Sequence, residues 1–277
     1  MDLFARCFLL VFAQLYIGGM LSLSVPPFHG IARGFYKSTA GVYVGSGILA
    51  LASRLALLMR GPGDAPPGVM EIVELLLWTV SVSAGVVYLR SLWGERFELR
   101  ATAFAVTWLS GLLALFLSSQ YFRLGPALSA DLLLYPLSFA ISALVLGAVC
   151  TGMLLGHWYL IDHDLAIDPF RDVFRFFVRV LGIQAIVFVM VGAVIAVLGS
   201  AAAGAALGKL FDEHGGLLAV RLSLSPLAAA GIAWMIWKTL QIPQTMAATG
   251  LFYIAILAVL VGEMMGRFIL FRTGLPL

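Results

Sequence analysis

Charge is what this sequence has least of. Asp, Glu, Lys and Arg together make up 11% of its 277 residues, against roughly 25% in a soluble domain. Histidine occurs four times and cysteine twice, at Cys7 and Cys150. Two cysteines at different depths in the spans point to neither a disulfide nor a metal framework. Long polar stretches are also missing, the widest gap between apolar runs being 200–216. That leaves no room for a soluble catalytic, nucleotide-binding or nucleic-acid-binding domain. "GAALGKL" at 204–210 resembles a phosphate-binding loop, but it is one residue short and places Leu210 where Ser or Thr must reach magnesium. The net charge of +3 therefore points to membrane orientation rather than to an acidic partner.

Apolar residues supply 62% of the chain, and its mean hydropathy is +1.03. Runs of about 20 apolar residues suffice to cross about 30 Å of hydrocarbon. Eight can be marked, at about 3–25, 39–59, 69–93, 101–119, 133–161, 173–199, 217–237 and 244–270. Between them lie "VPPFHGIARG", "RGPGDAPPG", "YFRLGPALSAD", "AIDPFRD" and "QIPQ", rich in helix-ending proline and glycine. The expected fold is all-α, one polytopic transmembrane bundle over residues 1–277. The first run follows "MDLFARC" without a cleavage site and reads as a retained helix. Gly41–Gly45, Gly152–Gly156 and Gly262–Gly266 each have the spacing that lets membrane helices approach closely.

Eight spans put both termini on one side. One side carries Arg33, Lys37, Arg90, Arg96, Arg100, Arg171, Arg175, Arg179 and Lys238; the other carries Arg6, Arg60, Arg123, Lys209 and Arg272. The richer side is expected to be cytoplasmic, with both termini outside. Trp93, Trp158, Trp234 and Trp237 fall near that inner edge, as an interfacial belt would.

Against this apolar background the charges inside the spans stand out. Each costs about 2.5–3.5 kcal/mol at the centre of a membrane helix on insertion scales. Arg54 lies near the outer end of span 2, Glu71 and Glu74 in the outer turns of span 3, Arg221 in span 7, and Glu263 and Arg267 in span 8. All six fall at one depth. Simple readings exist: arginines snorkelling to the headgroups and an i,i+4 pair at Glu263–Arg267. The sharper expectation is one polar pocket in the outer leaflet. There Glu71, Glu74 and Glu263 would handle protons, and Arg54, Arg221 and Arg267 would hold their charge or a quinone carbonyl. Gln14, in the middle of span 1, could join it or simply bridge helices. His157 in "GHWYLIDHDLAID" could serve as a haem ligand only with His29 as its distant partner on that side. A hydrogen bond to a neighbour is the simpler role, and haem b is not expected. A metal site from Asp162, His163 and Asp164 is disfavoured, because adjacent positions do not all point one way.

Two stretches carry a family likeness. "VFAQLYIGGMLSL" (11–23) is similar to a Val-Phe-x-Gln-x-x-x-Gly-Gly pattern, and "LVGEMMGRFILF" (260–271) to a Gly-Glu-x-x-Gly-Arg ending. Both patterns belong to the eight-helix membrane-anchor subunits of bacterial molybdopterin oxidoreductases, of the dimethyl-sulfoxide, polysulfide and nitrite reductase type. The resemblance implies a multi-pass protein of the bacterial inner membrane. It further implies quinol oxidation or quinone reduction (menaquinone or ubiquinone) beside an iron–sulfur or cytochrome partner subunit, with Gln14, Glu263 and Arg267 as scaffold or pocket residues. This chain departs from the pattern in span 2, where "ALASRLALLM" offers Arg54 and no histidine. A structural accessory subunit without quinone chemistry and a proton-coupled transporter are the alternative readings. No inverted repeat supports the transporter.

Overall fold

The structure, a computed structural model, describes residues 3–59, 68–126, 129–162, 165–242 and 244–277. Within them the chain is helical: α1 (Leu3–Ser22), α2 (Arg33–Met59), α3 (Val69–Ser91), α4 (Phe97–Gln120), α5 (Asp131–Tyr159), α6 (Asp168–Leu198), α7 (Ala201–Leu222), α8 (Ala229–Gln241) and α9 (Thr245–Thr273). A π-helical turn, Ser223–Ala228, joins α7 to α8. Taking α7 through α8 as one, eight of these helices are long and apolar enough to cross a membrane.

Local signals set the ends. Pro169 sits in the first turn of α6, where its missing N–H costs nothing. Ser200 caps α7 by accepting the Ala203 N–H at 3.2 Å. Gly274, at φ 79°, closes α9 by donating to Leu270 O at 2.8 Å. The spans read from hydropathy match within a few residues, with one exception. Span 7, expected at 217–237, extends back to Ala201. "AAAGAALGKL" is alanine-rich and capped by Ser200, so helix propensity prevails where hydropathy showed only a polar gap. The helical stretch Ala201–Gln241 has 41 residues, about twice what one crossing needs. It breaks at His214, whose backbone leaves the helical region (φ −126°, ψ 15°). Before that break only Ala203 and Leu210 are buried, so the leading part of α7 lies on the surface.

The core is built on α5, which packs against α1, α4, α6 and α9. Its closest approach is to α1. A Cβ built on Gly147 would lie 2.0 Å from the Gly18 carbonyl carbon, and one on Gly18 would lie 1.7 Å from Ala143 O. The pairs Gly152–Gly156 and Gly262–Gly266 also meet neighbours, Gly152 receiving Phe252 and Gly156 receiving Thr249. Gly41 and Gly45 do not: no atom lies within 4 Å of a Cβ at either, so they mark no close helix contact. Alanine at Gly41 is accordingly expected to leave the thermal midpoint of the purified protein within a degree or two, because it adds helix propensity without a clash. Buried polar bonds tie the helices further. Tyr16 donates to Ser81 O at 2.7 Å, Ser81 to Thr107 O at 2.6 Å, and Tyr43 pairs with Thr151 at 2.6 Å.

Candidate functional site

The six in-span charges do not share one pocket. They form two separate clusters, and one carboxylate belongs to neither. This corrects the expectation of a single site.

The first cluster lies in the bundle's interior. Glu263 on α9 is fully buried, and its Oε1 accepts from Gln184 of α6 at 2.6 Å, Arg221 of α7 at 2.6 Å and Ser225 of the π-turn at 3.3 Å. Its Oε2 accepts from Arg267 at 3.3 Å, and Arg267 also donates to Ser142 of α5 at 2.7 Å. Arg267 is 1% exposed and Arg221 4%. One carboxylate thus holds two guanidiniums together across α5, α6, α7 and α9, with the formal charge of the three adding to +1. Burying such a group is tolerable only because every formal charge meets an opposite one and further donors fill the remaining lone pairs.

The glycines of "GEMMGR" explain how the partners come so close. A Cβ at Gly262 would lie 2.6 Å from Ser225 Cβ, and one at Gly266 would lie 3.0 Å from Arg221 Nε. The π-turn has a separate cause. Pro226 has no N–H to give its helix, and the widened turn absorbs that missing donor while placing Ser225 against Gly262. Gln14 stands beside this cluster. It is fully buried, its Nε2 donating to Phe139 O at 3.0 Å, while Arg267 lies 5.0 Å from the centre of the Phe139 ring. It bridges α1 to α5, and its Oε1 is buried with no hydrogen-bond partner among the described residues.

The second cluster is more open. Arg54 of α2 pairs with Glu74 of α3 at 2.7 Å, and Ser118 of α4 donates to the other Glu74 oxygen. The Glu74 side chain is 4% exposed, that of Arg54 26%. Arg54 also lies 5.8 Å from the centre of the Tyr121 ring, just past the end of α4. Partial burial, with the Glu74 carboxylate beside it, pushes the Tyr121 hydroxyl up to about 12, so it remains a donor at neutral pH. Glu71 is in neither cluster: its half-buried carboxylate accepts the Gly68 N–H at 3.3 Å and caps α3.

His157 shares a hydrogen bond with Tyr253 at 3.1 Å, and His29 stacks edge-on against Phe28. Among the described residues no three His, Cys, Asp or Glu side chains are placed to hold a metal ion. His163 and Asp164 lie outside the described residues. A cavity of about 260 Å³ opens between the α4–α5 turn and the α6–α7 junction, lined in part by Ser129, Asp131, Ile195 and Ser200. None of the seven predicted charged or amide residues lines it.

Gln184, Ser225, Ser142, Ser118 and Tyr121 complete the clusters although the sequence reading did not single them out. Gln184 had a usable signal, an amide within the apolar run "LGIQAIVF". Serine is ordinary in a membrane helix and gives none. Compared with protein-family models, curated proteins and solved structures, the chain matches none.

Proposed function

We propose that the chain is the membrane-integral subunit of a respiratory electron-transfer complex. In this reading it anchors iron–sulfur or cytochrome partner subunits and receives a quinone headgroup at Arg54, Glu74, Ser118 and Tyr121. One observation carries the proposal: of the two ion-paired clusters, only this one keeps a guanidinium about a quarter exposed at the bundle's surface, beside a Tyr121 that is 43% exposed. An amphiphile arriving from the lipid would meet donors for a carbonyl oxygen in Arg54 and Tyr121. Glu74 would accept a proton from a hydroquinone hydroxyl, since a carboxylate within hydrogen-bond reach is the usual general base for that step. The two electrons would leave to the partner subunit, and the second proton would pass to water at the exposed edge beside Arg54 and Tyr121. The similarity of "VFAQLYIGG" and "GEMMGR" to the oxidoreductase anchors supports the class of subunit and not the site, because Gln14, Glu263 and Arg267 lie outside it. The Arg221–Glu263–Arg267 cluster, sealed from both lipid and water, is assigned to holding the bundle together.

Glu74→Gln is expected to lower quinol-dependent turnover in native membranes by about 10²-fold. Turnover of the partner subunits with an artificial soluble donor should be unchanged. Arg54→Gln should weaken binding of a short-chain quinone to the purified protein. Full quinol turnover in Glu74→Gln would remove the site. The alternative of a structural accessory subunit is favoured by the sealed Glu263 cluster, and under it both variants would turn over quinol normally.

A further inference from the structure

At the end of the bundle bearing the α1–α2 and α3–α4 connections, five bases gather: Arg33, Lys37, Arg90, Arg96 and Arg100. Arg100, in the first turn of α4, is 6% exposed. Its Nη2 donates to Ser91 O at 3.1 Å and Gly94 O at 2.8 Å. The rings of Phe28 and Phe97 cover it, with centres 4.8 and 5.1 Å away. Its Nε and Nη1 are buried with no hydrogen-bond partner among the described residues. Arg33 Nη1 reaches the same Gly94 carbonyl at 3.4 Å, so two guanidiniums converge on one neutral acceptor. Lys37 lies 4.7 Å over the Trp93 ring on the same turn.

No carboxylate among the described residues answers these charges. Among the described residues the ion pairs involve Arg54, Arg171, Arg175, Arg221 and Arg267, and none of the five bases. Glu95 and Glu98 are adjacent in the chain, yet both are exposed and pair with none of them. A buried guanidinium is ordinarily paired, and like charges gathered at low dielectric repel. The first turn of α4 adds the partial positive charge of a helix N-terminus. The bases lie where lipid headgroups would lie for a helix bundle of this length, and no described side chain neutralises them.

We propose that this corner is a binding site for a phosphate group, that of an anionic phospholipid headgroup. Arginine binds phosphate oxygens in a two-pronged fashion, and basic pockets between membrane helices hold such headgroups. Arg33 and Lys37, both half-buried, are the contacting donors. Arg100 is a positioning residue, a fixed charge beneath them that also holds the Ser91–Gly94 turn in place. The exposed Trp93 and Phe97 flank the site and offer apolar surface to acyl chains.

Thermal unfolding of the full-length purified protein tests this. It would be measured in phosphatidylcholine bilayers with and without phosphatidylglycerol, and in neutral detergent with and without inorganic phosphate. The midpoint should rise with phosphatidylglycerol, and the double variant Arg33→Gln/Lys37→Gln should lose that rise while keeping the wild-type midpoint in pure phosphatidylcholine. Arg100→Gln would also remove the buried bonds that hold the Ser91–Gly94 turn, so the more exposed Arg33–Lys37 pair carries the test. A rise with the lipid alone assigns a headgroup; a rise with inorganic phosphate as well assigns the phosphate group itself. Arg171→Gln/Arg175→Gln, at the same end but already paired with Asp168 and Asp172, should retain the rise. No rise in any arm, or an undiminished rise in Arg33→Gln/Lys37→Gln, would overturn the site.

Discussion

Glu263→Leu should yield almost no folded protein, whereas the triple variant Glu263→Leu/Arg221→Met/Arg267→Leu should recover most of it. The single change leaves two guanidiniums, 4% and 1% exposed, facing each other with nothing to neutralise them. Removing one partner from a buried ionic group costs about 3–5 kcal/mol, while replacing the whole group with apolar side chains of similar volume is often neutral or stabilising. Total stability of about 5–15 kcal/mol cannot absorb much of the former. Glu263→Gln should fall between, since an amide oxygen can still accept from Arg221 but brings no charge. Yield of monodisperse protein in detergent and its thermal midpoint would read all three. If the triple variant is no better than the single one, the cluster does more than hold helices. A stable Glu263→Leu would show that the cluster is not a brace at all.

Gly147→Ala should be nearly as damaging through geometry alone. Its methyl carbon would lie 2.0 Å from the backbone of Gly18, and a backbone, unlike a side chain, cannot rotate away. α1 and α5 would have to part along their length, disturbing the Gln14–Phe139 bond and the packing of Tyr16 and Met20, both fully buried. Overpacking typically costs about 1–3 kcal/mol and more where nothing yields. The thermal midpoint of Gly147→Ala, compared with that of Gly41→Ala, separates close approach from any general effect of alanine. Equal midpoints would contradict the α1–α5 crossing.

How much of this was visible in the sequence differs between fold and site. The spans could be read because crossing hydrocarbon demands a long apolar run, and each helix from α1 to α6 shows one. The start of α7 could not, because a surface helix needs only propensity and a cap, which "SAAAGAALGKL" supplies without hydropathy. Depth along the chain correctly drew attention to Arg54, Glu74, Arg221, Glu263 and Arg267 as charges needing partners. Depth says nothing of azimuth, however, and which face of each helix a charge occupies decides its partner. Arg54 and Arg221 therefore seemed neighbours when they serve different carboxylates. Glu71 stands apart from both clusters for a related reason: a carboxylate three residues into a helix can turn back on its own N-terminus. The role of Ser118 follows only from α3 and α4 lying side by side.

The π-turn at Ser223–Ala228 has a consequence for the register of everything beyond it. A residue in an α-helix advances about 100° around the axis, so a surplus residue wound as plain α-helix would rotate α8 by about that angle, and the widened turn absorbs it instead. The stripe facing inward before the turn and the stripe facing inward after it belong to different helical phases. Deleting a single residue within 223–228 would remove the surplus, and the helix would wind regularly again with Ile232 and Ile236 still on the buried face. By the same arithmetic, a sequence sharing this architecture without the bulge should align with this one across α7 and α8 only through a gap of one.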